Sequence, residues 1–146
     1  MANAITWSDL EATVTYLGAE LNALADAGRK LGAAIDNTAD KFTYAMVELY
    51  LPIQAGARDA GAYVSLYLLK STDGTNYDFG ADALAPPPGT WANNFTFDAD
   101  TAARYVSVEI AVPPSKFKLM VINNTGQAFA ATLNTLKYRF YSLEVQ

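Results

Sequence analysis

From residue 41 onward the chain alternates apolar and polar side chains. "GAYVSLYLLK" sets Val64, Leu66 and Leu68 on one side of an extended backbone and Tyr63, Ser65 and Tyr67 on the other. "ARYVSVEIAVPP" repeats the pattern, with Val106, Val108, Ile110 and Val112 against Tyr105, Ser107 and Glu109. Side chains alternate with period two along a strand, so each run predicts a strand with one buried face. "KFTYAMVELYLP" is apolar on both sides and predicts a central strand, closed by Pro52, which has no N–H to give a ladder. "NNFTFDAD", "KFKLMVINNTG" and "LNTLKYRFYSLEV" complete the set. Asp73-Gly74, Pro113-Pro114 and Asn123-Asn124-Thr125-Gly126 separate the apolar runs with turn residues. The expected fold is all-β, a β-sandwich of jelly-roll-like form.

The first forty residues allow two readings. Leu10, Val14, Leu17, Leu21, Leu24, Leu31 and Ile35 recur at helical spacing, and Ser8 with Glu11 would form a capping box. Against a helix stand Gly18, Gly28 and Gly32, each costing about 1 kcal/mol in a helix interior relative to alanine. The favoured expectation is strands flanking one helical turn near "AELNALAD", with a longer helix as the alternative. One domain is expected: residues 1–40 pack on the sandwich or extend as an arm, and residues 41–146 form the sandwich.

Composition narrows the chemistry. The chain has 146 residues, with no cysteine and no histidine. At that length folding buries roughly 70% of the unfolded chain's surface, so a core needs no disulfide or metal. Imidazole-dependent triads and His-ligated zinc, copper or iron sites are excluded. The expectation is no enzyme, no cofactor and no metal. "MANAITWSDLEATV" shows neither the basic nor the apolar region of a signal peptide, and no apolar run approaches a membrane span, so synthesis in the cytoplasm without membrane contact is expected. A net charge of −5 speaks against nucleic acid as partner. Residues 1–100 carry −8, whereas residues 101–146 carry +3 through Arg104, Lys116, Lys118, Lys137 and Arg139 against Glu109 and Glu144. Lys116 and Lys118 share one strand face, as do Lys137 and Arg139; they are either docking groups for an acidic partner or solvated faces.

Three stretches invite a functional reading. "LLKSTDGTNYDFG" gathers Asp73, Asn76 and Asp78, with Asp82 just beyond, but Thr75 and Tyr77 stand where a calcium loop needs oxygen ligands. A turn with Gly74 at positive φ is the plainer account. "ADALAPPPGTWANN" is a proline-stiffened excursion that leaves Tyr77, Phe79 and Trp91 around a loop, either as a recognition surface or with Trp91 folded back over one end of the sandwich. Asp98 and Asp100 resemble a carboxylate pair, but neighbours on a turn give no acid–base division of labour. "AGARDAG", around Arg58-Asp59, reads as a small-residue hairpin loop, and no phosphate-binding glycine loop is present.

"ELNALADAGRKLGAAIDN", "LYLLKSTDGTNYDFG", "ARYVSVEIAVPPSKFKLMVINNTG" and "NTLKYRFY", in that order, resemble a family of small virion proteins of tailed bacteriophages. Family members carry similar Leu-Asn-Ser-Leu-Ala, Asp-Gly-Thr-Asn-Tyr, Pro-Pro-Gly-Lys-Phe-Lys and Leu-Lys-Tyr-Arg segments; here Ser115 stands in place of the glycine. The resemblance runs from about Trp7 to Tyr141. It implies a virion structural component without catalytic residues, above all a capsid decoration (cement) protein that binds and stabilises the major capsid protein shell as a homotrimer. A tail- or baseplate-associated structural protein is one alternative. A carbohydrate-binding module stacking sugars on Tyr77, Phe79 and Trp91 is another.

Overall fold

The computed structural model describes residues 4–145. The strands are β1 (Ile5–Trp7), β2 (Val14–Leu17), β3 (Arg29–Leu31), β4 (Ile35–Asp36), β5 (Tyr44–Leu51), β6 (Tyr63–Lys70), β7 (Trp91–Thr96), β8 (Arg104–Ala111), β9 (Lys116–Asn124), β10 (Thr135–Tyr141) and β11 (Leu143–Val145). Single 3₁₀ turns occupy Ala19–Leu21 and Pro88–Thr90. One sheet has the order β2-β10-β5-β8; the other has β3-β9-β6-β7, with β4 continuing the β3 edge along β9. All pairings are antiparallel.

The order follows from one long hairpin rolled up on itself. Its partners are β2 with β10, β3 with β9, β5 with β8 and β6 with β7, so each successive rung alternates between the two sheets. This is the jelly-roll winding expected from the sequence, with two sheets packed face to face. The core lies between them. Ala45, Val47, Leu49 and Leu51 of β5 meet Val64, Leu66 and Leu68 of β6, Phe95 of β7 and Phe117, Leu119 and Val121 of β9, all buried. The longer helix considered for the first forty residues is absent: β2, β3 and β4 are edge strands and Ala19–Leu21 is the single helical turn. Ser8 caps no helix; its Oγ accepts from the Ser142 N–H at 2.8 Å.

Buried polar side chains join what the strands leave apart. Asn123, fully buried, donates through Nδ2 to the carbonyls of Leu24, Ala25 and Gln127 and accepts from Thr125, tying the 22–28 segment to the end of β9. Arg58, expected in a small surface hairpin, is instead buried. It donates to the Asp98 carbonyl, the Gln54 side chain, the Ala102 carbonyl and the Asp98 carboxylate, and lies 5.5 Å from the Phe97 ring centroid. A guanidinium can be buried there because its N–H groups meet fixed oxygens.

The proline-rich excursion folds over the outer face of the second sheet. Leu69 and Met120 point away from the core yet are fully buried, with Gly80 of the covering segment against them and Pro86 beside Gly80. Asp82 clasps this cover to β3, accepting from Lys30 Nζ at 2.6 Å and from the Leu31 N–H at 2.8 Å. Lys118 sits 4.4 Å from the Tyr77 ring centroid on the same face.

Candidate binding face

The outer face of the β2-β10-β5-β8 sheet has no such cover. Its side chains follow from register, since residues paired across antiparallel strands share a face. Tyr44 of β5 stands between Tyr141 and Ala111; Met46 between Arg139 and Glu109; Glu48 between Lys137 and Ser107; Tyr50 between Thr135 and Tyr105. Aromatic rings therefore mark both ends, and charged and hydroxyl groups fill the middle. From Tyr44 to Tyr50 is six residues of strand, about 20 Å.

At one end Tyr50 and Tyr105 stack with centroids 4.2 Å apart, and Tyr105 is 67% exposed. At the other, Trp7 leans on Tyr44 and Tyr141 at 6.0 and 5.4 Å while remaining 59% exposed. Trp7 is placed there because β1 pairs with β11 directly after β10. Burial and the neighbouring Glu109 carboxylate raise the Tyr141 phenol well above its usual range, so it stays neutral. Between the ends lies a depression of about 370 Å³, lined by Thr13, Met46, Glu48, Ser107, Lys137 and Arg139 among others. Arg139 holds the neighbouring 8–13 segment by donating to the Glu11 and Leu10 carbonyls at 3.0 and 3.4 Å. Among the described residues the ion pairs include neither Lys137 nor Arg139 nor Glu48 nor Glu109; Arg139 is engaged by the backbone of the 8–13 segment, while Lys137 and Glu48 face each other across β10 and β5.

The residues singled out in the sequence disperse. Lys137 and Arg139 lie together on this face, whereas Lys116 and Lys118 lie on the outer face of the opposite sheet, Lys116 3.8 Å from Asp36 and Lys118 over Tyr77. The four cations form no single docking stripe. Tyr77, Phe79 and Trp91 do not stack on one another: none of the described ring pairs contains any of them. Trp91, expected in a loop, is the first residue of β7, its indole N–H donating to Asn94 Oδ1 at 3.0 Å. Phe79 is 70% exposed on the covering loop.

The carboxylates are committed to backbone N–H groups and to neighbouring polar or basic side chains. Asp73 accepts from the N–H groups of Asn76 and Thr75, from Asn76 Nδ2 and from Ser71 Oγ, which holds its pKa far below the ordinary value. Gly74 has φ +77°, as the turn reading requires. Asp78 accepts from the Lys70 N–H and Asp82 from Lys30, so the side chains weighed against a calcium loop are held by different partners. Asp98 is paired with Arg104 and Arg58, and Asp100 caps its own turn at Thr101 and Ala102. Among the described residues no group of three or more acidic side chains is placed to hold a metal ion.

Trp7, Tyr44, Tyr50 and Tyr105 are the site residues that strand patterning alone passed over. The β5 run was apolar on both sides, which concealed that Tyr44 and Tyr50 belong to the outer one.

No family model matches the chain, and no curated protein does. Among solved structures it is similar to the N-terminal cellulose-binding domain of Cellulomonas fimi β-1,4-glucanase C, at 13% identity over 86% of this chain and 74% of that one, with a TM-score of 0.32. A second structure, described as "CBM4 structure and function", shares 11% identity over 84% and 80% of the two chains, with a TM-score of 0.30. At these scores the likeness carries no argument; the sandwich assignment rests on the strand order itself.

Proposed function

We propose that the protein is a non-catalytic binding module that takes an extended carbohydrate chain along the outer face of the β2-β10-β5-β8 sheet. The observation behind this reading is the pairing of exposed aromatic rings at both ends of an open depression with charged and hydroxyl side chains between them. Sugar rings offer apolar C–H faces that stack on aromatic side chains and hydroxyls that hydrogen-bond to either sign of charge. The face moves the carbohydrate reading away from Tyr77, Phe79 and Trp91. Titration of the protein with a soluble linear β-glucan, a mannan and polygalacturonate, followed by calorimetry, tests it. At least one polysaccharide binds, and Tyr105→Ala weakens that binding by about tenfold or more, the effect of losing one aromatic anchor. Trp91→Ala leaves it unchanged. Failure of all three polysaccharides to bind, or indifference to Tyr105→Ala, defeats the reading.

A second reading has its own support in the phage-like segments between Trp7 and Tyr141. The protein is then a virion structural component, in its finer form a capsid decoration protein seated as a homotrimer on the major capsid protein. Those segments include the Asp73 turn, the Asn123 anchor and the β10 strand. Purified protein is expected to bind particles that lack it and to raise their resistance to heat. Particles that neither bind it nor gain stability refute this second reading.

A further inference from the structure

We infer that the end of the sandwich opposite the β1–β11 ribbon is a contact surface for a second copy of this chain. A depression of about 510 Å³ opens there, lined by Ala23, Ile53, Ala55, Ala128, Phe129 and Ala130 among others. None of its lining residues is charged, in a chain of net charge −5. Two aliphatic side chains at this end are largely exposed. Ile53 is 73% exposed, and Leu133, two residues beyond Ala131 of the lining, is 71% exposed.

Leu133 is the informative residue. Its φ is +67°, the left-handed region that a leucine rarely adopts, and its side chain gains no burial in return. The conformation is built in. Asn134, buried at its base, donates through Nδ2 to the Ala130 carbonyl at 2.7 Å and to Asn22 Oδ1 at 2.9 Å. The Ala23 N–H, itself on a residue at φ +56°, donates to the same Ala130 carbonyl. The backbone thus spends strain to hold an apolar side chain out in water, which folding alone does not reward.

The occupant follows from shape and charge. The surface offers both exposed aliphatic side chains, Ile53 at the rim of the recess and Leu133, and a recess whose remaining lining is mostly alanine, which is what a self-complementary contact needs: each copy supplies the knob for the other's hole. Two copies carrying −5 each repel over most of their surface, and this uncharged end brings them together without facing like charges. An acidic or basic partner finds no counter-charge here.

Light scattering and sedimentation of the full chain over a concentration series test the inference, with Leu133→Asn and Ile53→Ser as variants. The natural chain self-associates, and each variant weakens association about tenfold or more, the loss expected when one buried aliphatic anchor becomes polar. Leu133→Asn melts no earlier than the natural chain at dilution, because asparagine tolerates positive φ; a folding defect is thereby separated from a contact defect. Leu143→Ser, at the opposite end on β11, leaves association intact. A chain that stays monomeric at every concentration overturns the inference. So does an assembly that both variants retain, or one that only Leu143→Ser dissolves.

Discussion

At position 16 a phenol closes the gap between the two sheets along their open edge. The Tyr16 hydroxyl donates to the Ala33 carbonyl at 2.6 Å and accepts from the Leu119 N–H at 3.0 Å, joining β2 of one sheet to β9 of the other. Room for the ring comes from Gly32, where any Cβ would overlap it. Between β3 and β4 the pairing with β9 gains one residue, Leu31 facing Met120 and Ile35 facing Phe117, and Gly32 lies in that bulge. Tyr16→Phe removes the acceptor and strands the Leu119 N–H, at a cost of about 1–3 kcal/mol in denaturant unfolding. Gly32→Ala displaces the ring as well and is expected to destabilise at least as much, by the same measurement. Neither residue announced this in the sequence: Tyr16 reads as one more strand aromatic and Gly32 as a helix breaker, because their partners lie 17 and about 100 positions away. The Arg58 site was hidden for the same reason, its oxygens arriving from Asp98 and Ala102.

The elements that were legible are those whose signal is local. Strands β5, β6, β8, β9 and β10 carry seven to nine residues each, long enough for alternation to show, and the Asp73-Gly74 and Asn123–Gly126 turns fall where their chemistry places them. Strands β2, β3 and β4 have four residues or fewer, too few for periodicity to separate strand from helix. Of the binding face, Lys137 and Arg139 could be seen to share a side, but which side of β5 faces water depends on the other sheet. The covering loop gives this a quantitative form. Period two assigns Met46 of β5 and Met120 of β9 alike to outer faces, yet Met46 is 37% exposed and Met120 is 0%. Met120→Ala is therefore expected to cost about 2–5 kcal/mol, as in a core. Met46→Ala stays within about 1 kcal/mol, near the range of surface substitutions. Equal losses in parallel urea titrations would show that the loop does not seal the second sheet.

At the scale of the whole molecule the charges set a pH window, and its two limits have different chemistry. Asp98 is held below the ordinary carboxylate range by Arg104 and Arg58, Asp73 by the Asn76 and Thr75 N–H groups, Asp100 by those of Ala102 and Thr101, and Asp36 by Thr38. Each group binds its proton less readily folded than unfolded. Its contribution is complete above the unfolded value of about 4 and is lost as pH falls through the lower folded value. The phenols act in the opposite sense. Burial raises Tyr16, Tyr138 and Tyr141, so their contribution is complete below the unfolded value of about 10 and is lost as pH rises beyond it. With no histidine in the chain, no side chain titrates from its ordinary value between these limits. Melting temperature is therefore expected to be nearly flat from about pH 5 to pH 9 and to fall on both sides. The two arms can be separated by substitution. Asp73→Asn makes the acid arm shallower and leaves the alkaline one, because an amide has no proton to gain while Asp98, Asp100 and Asp36 still titrate. Tyr16→Phe lowers the plateau but makes the alkaline arm shallower, because the variant has lost both the buried hydroxyl bond and one of the three buried titrations. A melting temperature that drifted steadily across neutral pH would contradict the assignment of stability to these carboxylates and phenols.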